Sequence, residues 1–450
     1  MIDARLHALR RLTVAAIGVG VVRCASHDSA PPPPIGANAH PVTLLRPARG
    51  PISPVATLGR EIFFDPALSG SGRISCATCH DPAHEYGPPN DRAVQPGGMT
   101  GGNKGVRAVP GLRYVAFVPP FSIGPANDAA ENAGAARAAV QSAGASRVAK
   151  RAGAMMGASL VPSGGLFWDG RASTLQSQAT GPLFGHAEMD GGNIITVANR
   201  LRQRYGERMA QLFGEETVAT PARLVDEALF AVARFELEDS SFTPYSSKYD
   251  AYLEGKAVLT SVEARGLSVF EDSTKGNCAA CHLDRPGPQG EPPAFTDYEY
   301  EALGVPRNDS LAVNRDREYA DLGLCGPARR DLSAVAAYCG LFRTPSLRNV
   351  ATRKVFFHNG VYRTLADVVR FYNLRAVDPG AIYGRDRSGR LRGDSDLPAS
   401  FRGNIDTIDA PFNRRSGERP PMTREEMGDL VAFLGTLTDG YRFSGSSDRR

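Results

Sequence analysis

The feature that most limits what this chain can fold into is a five-residue pattern that occurs twice. Cys76-Ala77-Thr78-Cys79-His80 and Cys278-Ala279-Ala280-Cys281-His282 both read C-x-x-C-H. The spacing sets two thiols on one helical turn, where each can form a thioether to a vinyl group of haem. The next residue, His, then reaches the iron. With 7 cysteines and 8 histidines in 450 residues, chance supplies roughly 0.002 such matches. A redox C-x-x-C pair or half of a zinc site is the other reading, and the His in both copies argues against it. The copies lie about 200 residues apart, which predicts two covalently bound haem c groups, one per domain.

Hydrophobic residues make up 42% of the chain, and the net charge is 52 − 48 = +4. Such a chain buries a core, and its charge is too even for nucleic-acid binding. Gly 48 and Pro 33 predict long ordered loops. Arg5, Arg10 and Arg11 precede an apolar run from Leu12 to Val22. That is the pattern of a secretory signal, placed at 1–26, and it predicts a periplasmic protein. Cys24 leaves lipid anchoring as an alternative, although Arg23 stands where that cleavage wants a small residue. Residues 27–50 read as a Pro/Gly/Ala-rich linker, with ordered structure expected from Pro51. In an oxidising compartment Cys325 and Cys339 would form a disulfide closing a short loop. The alternative is two buried free thiols.

Apolar residues at three-to-four spacing predict helices over Pro54–Phe64, Ile194–Phe213, Ala222–Glu238, Ser261–Glu271, Thr364–Tyr372 and Thr423–Leu437. Residues Asp128–Lys150 are Ala-rich and predicted helical, but weakly amphipathic. Asp81–Gly111 and Pro286–Asn314 read as loop, and no long alternating strand pattern is present. The predicted class is mainly α, with two cytochrome c-like haem domains and long loops. The N-terminal domain covers 51–240 and carries an insertion at 119–160. The C-terminal domain covers 241–450, with the boundary near Ser240–Tyr245.

Four strings then resemble the bacterial di-haem cytochrome c peroxidases, the superfamily that includes the MauG-like branch. They are LGREIFFDPALSGSGRISCATCHDP, FWDGRASTLQSQATGPLFGHAEMD, GNCAACH and FRTPSLRNVATRKVFFHNGVYRTLADVVRFYN, in matching order and spacing. The resemblance implies that the haem on His80 reacts with peroxide, with Glu188 on its open face and Gln178 as a polar neighbour. It implies that Trp168, the single Trp of the chain, relays electrons between the haems. Taken alone, a Glu in a Gly-rich loop is a solvated residue and a lone Trp is core. The position where the family's peroxidases carry a resting-state distal His is Pro96 here. His84, only four residues after His80, reads as loop, so the His80 haem is expected to be open.

Fourteen residues after His358, where the ordinary peroxidases carry Met as the sixth ligand of the second haem, stands Tyr372. MauG-like members carry Tyr there. Tyr372 also extends an apolar helical face with Leu365, Val368 and Val369, which is a structural reason for it. As a ligand, a phenolate favours oxidised iron where a thioether would raise the potential. The family also implies calcium between the haems, but Ala108, Arg353 and Val355 replace three of its oxygen donors, and this counts against a calcium site.

The expected function is a periplasmic peroxidase acting on hydrogen peroxide with electrons from a small cytochrome c or copper protein. One alternative is MauG-like oxidation of side chains of a protein substrate. The others are a non-catalytic di-haem electron carrier and a peroxide sensor. The family also allows a homodimer.

Overall fold

The computed structural model describes residues 36–125, 160–391 and 395–442. Helices form where an apolar period meets a cap. Helix α1 (Pro54–Phe64) begins at Ser53, whose Oγ accepts the Ala56 N–H, with Pro54 in the first turn. Next along the chain come α2 (Leu175–Phe184), α3 (Ile194–Phe213), α4 (Pro221–Glu238), α5 (Ser261–Glu271), α6 (Leu365–Leu374) and α7 (Arg424–Gly435). Helices α5 and α7 open on reciprocal caps, Thr260 with Glu263 and Thr423 with Glu426. Sheet among the described residues is confined to short antiparallel pairs. Pro96–Gly97 pairs with Asn103–Lys104, Ser122–Pro125 with Leu160–Ser163, and Tyr300–Glu301 with Phe342–Arg343. The protein is mainly helical, as the sequence predicts.

The described residues belong to one unit, inside which the two largest hydrophobic cores stay distinct. The first gathers Leu58, Phe63, Leu201, Phe235 and Phe242, and the second Phe270, Phe295, Val369 and Phe433. The helix crossings at their centres are built alike. A Cβ on Gly59 of α1 would lie 1.7 Å from the Ala231 carbonyl oxygen of α4, and one on Gly266 of α5 would lie 2.0 Å from the Asp429 carbonyl oxygen of α7. Four residues after each glycine stands a fully buried Phe, which meets a Phe of the partner helix. The ring centroids are 5.5 Å apart for Phe63–Phe235 and 5.1 Å for Phe270–Phe433. Any side chain at either glycine would wedge the backbones apart and break those ring contacts.

The structure differs from the sequence reading at the supposed linker. Its described part, 36–50, is fastened to the second half. The Val42 and Leu45 N–H groups donate to the carbonyls of Leu253 and Gly290, and Leu44 is buried. Arg46 grips Glu254 at 2.6 and 2.9 Å. The partners lie some 200 residues on (208 for Arg46), out of reach of any local signal. Cys325 and Cys339 form the expected disulfide. The signal at 1–26, Cys24 and the 128–150 helix lie outside the described residues. No described helix is long and apolar enough to cross a membrane.

Candidate active site

Each C-x-x-C-H is a single turn that presents its His in one orientation. Cys76–Cys79 is helical, and the His80 N–H donates to the Cys76 carbonyl at 2.9 Å. His80 Nδ1 lies 3.1 Å from the Tyr86 carbonyl oxygen. A carbonyl only accepts, so Nδ1 carries the proton and Nε2 keeps its lone pair for a metal. The second copy repeats this. The His282 N–H donates to the Cys278 carbonyl at 2.8 Å, and its Nδ1 to the Phe295 carbonyl at 3.0 Å. Burial pulls both imidazoles down to about 4, so both rings are neutral. The second copy opens on a cavity of about 1250 Å³ lined by Cys278, Cys281, His282, Tyr372 and Trp168. Two thiols on one turn, a fixed imidazole Nε2 and a large apolar cavity fit a covalently held haem.

A further internal repeat places the other candidates. Phe167-Trp168-Asp169-Gly170 and Phe357-His358-Asn359-Gly360 adopt the same turn, with φ of 66° and 62° at the Phe and 64° and 62° at the Gly. Each turn is closed by a bridge, Leu166 with Ala172 and Phe356 with Tyr362. Each leads through a capping Thr, Thr174 or Thr364, into a helix, α2 or α6. Trp168 is therefore the counterpart of His358, and one residue joins them. The Trp168 Nε1–H donates to the Ala108 carbonyl at 2.8 Å, and the Ala108 N–H donates to the His358 carbonyl at 2.6 Å. Beside Trp168, buried Asp169 receives Arg107 at 2.7 Å, and Arg107 also grips Asp321 at 2.6 Å.

Tyr372 sits on α6 and lines the cavity with His282. Its ring lies 5.4 Å from Phe412, stacked, and its hydroxyl has no hydrogen-bond partner among the described residues. Burial, and then the nearby Cys278 and Cys281, push the phenol pKa up. The position equivalent to Tyr372 in the first repeat is Pro182, whose side chain offers no donor atom.

Glu188 lies in the loop after α2, in a turn held by its own N–H on the Gly185 carbonyl and by the Gly98 N–H on its carbonyl. Its side chain is exposed, yet enough protein surrounds the carboxyl to raise its pKa, an effect opposed by Arg171. Burial, and then the nearby charge of Glu188, push the Cys79 thiol up to about 11. Gln178 is half-buried on α2. His84 bonds Asp81 at 2.8 Å in a loop, as expected.

Two ionisable groups lie near these sites; Glu236 carries no sequence signal, and Arg353 stands at a position where the family resemblance implies a calcium donor. Glu236 of α4 is buried, its Oε2 has no hydrogen-bond partner among the described residues, and burial pushes it up to about 8 beside Cys76. Arg353 donates to the Val109 carbonyl at 2.9 Å and lines the cavity. Thus a guanidinium occupies the region where the family resemblance implies calcium. Among the described residues no group of three or more His, Cys, Asp and Glu is placed to hold a metal ion.

A family model described as di-haem cytochrome c peroxidase matches residues 53–258. The chain is similar to methylamine utilization protein MauG of Paracoccus denitrificans, at 31% identity over 89% of this chain and 94% of that protein. It is similar to cytochrome c551 peroxidase of Nitrosomonas europaea, at 27% identity over 85% of this chain and 80% of that one. Among solved structures it is similar to the diheme peroxidase BthA from Burkholderia thailandensis. There the TM-score is 0.71 and the identity 35%, over 90% of this chain and 94% of that one.

Proposed function

The chain belongs to the di-haem cytochrome c peroxidase family, and we propose that it reduces hydrogen peroxide in the periplasm with electrons from a protein donor. One observation carries this reading: two sites built on the same repeat differ in what faces the metal position. Glu188 stands by the first, Tyr372 lines the second, and Pro182 takes the place of a Tyr372 counterpart at the first. When bound, a haem iron supplies the redox chemistry that breaks the peroxide O–O bond. The net reaction takes peroxide, two electrons and two protons to two waters.

The Glu188 carboxylate takes the proton from the near peroxide oxygen and returns it to the far oxygen, which leaves as water. Gln178 orients the incoming peroxide. Trp168 passes electrons between the sites. Its N–H rests on a peptide carbonyl, which is no base, so the electron moves without a proton. The Tyr372 hydroxyl caps the second site. A phenolate there disfavours reduced iron, and this supports a second reading, in which the electrons come from side chains of a protein substrate as in the MauG-like branch.

The test is made on the holoprotein, with both haems attached. The resting oxidised form is expected to show one high-spin and one low-spin haem, and peroxide should oxidise two reduced cytochrome c per molecule consumed. Two low-spin haems that ignore peroxide would make the protein a carrier instead.

A further inference from the structure

Some interior arginines of this protein are matched by carboxylates, and Arg343 and Arg375 by backbone carbonyls. Arg107 meets Asp169 and Asp321, Arg348 meets Asp250 at 2.8 Å, and Arg329 meets Asp331 at 2.7 Å. Among the described residues Arg353 has no carboxylate partner, and its one hydrogen bond reaches the Val109 carbonyl at 2.9 Å. Burial alone acts on it and lowers its pKa to about 10. A guanidinium held among protein atoms without an anion is costly, by several kcal/mol, unless something supplies the negative charge.

Its place says where that charge comes from. Arg353 comes directly after the turn Val350–Thr352, and a Cβ on Gly87 or Gly111 would stand 3.9 or 3.8 Å from its Nη1. It lines the cavity with Trp168 and His282, and Gly87, beside its Nη1, directly follows Tyr86, whose carbonyl holds His80 Nδ1. It therefore stands between the two C-x-x-C-H motifs. Every haem c brings two carboxylates of its own, and a planar guanidinium grips a carboxylate with two parallel hydrogen bonds.

We propose that Arg353 is the counter-charge of a propionate on the His80 haem, and that it holds that haem's reduction potential up. The inference rests on the di-haem reading above. A fixed positive charge near the ring favours the reduced metal, which carries one charge less. Arg353 is thus a positioning and tuning residue that does not touch peroxide.

The experiment is a spectroscopic redox titration of the holoprotein, with resonance Raman of the propionate bending modes. Arg353→Gln keeps a donor for the Val109 carbonyl and loses the charge. It should lower the reduction equilibrium constant of the His80 haem at least tenfold, which is 59 mV for a one-electron couple, and shift one propionate band. Arg353→Lys keeps the charge and should recover most of the potential. It also serves if the Gln variant fails to fold. Lys354→Gln, at the exposed neighbour, should change neither readout. A Gln variant with both haems attached, a lower melting temperature and unchanged potential and bands would make Arg353 a structural clamp and overturn the proposal. Fewer than two haems by mass in the parent would remove the di-haem reading itself, whatever Arg353 does.

Discussion

Glycine 185 offers a sharper test of Glu188 than removing the carboxylate does. Its φ is −65°, open to any residue, so Gly185→Ala needs no unusual dihedral. The added Cβ would lie 2.4 Å from Glu188 Oε2 and 2.9 Å from the Gly181 carbonyl oxygen. Ordinary contact begins near 3.4 Å, so the carboxyl must retreat by 3.4 − 2.4 = 1.0 Å. The carboxyl is the free end of a side chain and moves readily, but the Gly181 carbonyl is backbone and must also give by 3.4 − 2.9 = 0.5 Å, so a modest loss of stability is expected. A displacement of about 1 Å in a reacting group costs on the order of 10²-fold in rate. That lies at the low end of the roughly 10²–10⁴-fold expected for Glu188→Gln, which abolishes proton transfer. The assay is stopped-flow oxidation of a reduced donor by peroxide, read as kcat/KM for peroxide, with haem content and both potentials checked. The raised Glu188 pKa adds a signature. The base must be ionised, so the acidic limb should lie above the ordinary carboxylate range in the parent and vanish in Glu188→Gln. A Gly185→Ala variant that keeps its rate within a small factor would refute the claim that the Glu188 oxygen acts where it stands.

Other outcomes come from the same structure. Tyr372→Met replaces the hydroxyl with a thioether and should raise the potential of the second haem by on the order of 0.1 V, with a changed low-spin spectrum; an unaltered spectrum would remove Tyr372 as a ligand. Trp168→Phe keeps a ring but not the N–H bond to Ala108, and should slow electron transfer between the haems while peroxide still reacts with the first. Flash photolysis of the reduced holoprotein would read this, and an unchanged rate would put the path elsewhere. For Glu236, the folded pKa of about 8 is raised above the ordinary carboxylate value. Its stability contribution is therefore complete below that ordinary value and lost as pH rises through 8, at most about 5 kcal/mol. Glu236→Gln should flatten the fall in melting temperature between pH 5 and pH 9; the same slope in both proteins would show that another group titrates.

The haem-bearing turns and the long helices are legible in the sequence because their signals are local. A C-x-x-C-H needs only five neighbouring residues, and α4 needs only its apolar period. The linker at 36–50 misleads because a Pro/Gly/Ala composition describes the chain's own preferences and not its distant partners. Arg46 is ordered by Glu254 and Val42 by Leu253. The glycine crossings escape the sequence for a related reason. In α1, Gly59 reads as a weak point of a helix, and only the Ala231 carbonyl against it shows that the space is used. Glu236 reads as one more position of a helical face, since nothing in ELED distinguishes a buried carboxyl from a solvated one. Glu188, Trp168 and Tyr372 are reached through resemblance to a family, and no spacing rule would select them.

The repeats also say where the chemistry of the two sites can diverge. The crossings of α1 with α4 and of α5 with α7 share the same glycine and the same pair of Phe rings. The turns at Trp168 and His358 share the same backbone. Elements held in common cannot make one site differ from the other, so the difference must lie in the segments downstream of the turns. After His358, α6 runs unbroken and carries Tyr372 on a rigid helical face toward the cavity. After Trp168, α2 has Pro182 at the equivalent position; both helices end two residues on, but the chain leaves α2 in extended backbone at Gly185 and turns back to present Glu188. A side chain fixed on a helix suits a permanent cap, whereas a carboxylate on a short turn can follow a proton from one oxygen to the next. On this argument Pro182 is as informative as Tyr372. Pro182→Tyr should leave the first haem open, because the chain leaves α2 in extended backbone at Gly185 whereas α6 continues in helical backbone at Arg375. A low-spin first haem in that variant would show instead that one residue decides which site reacts.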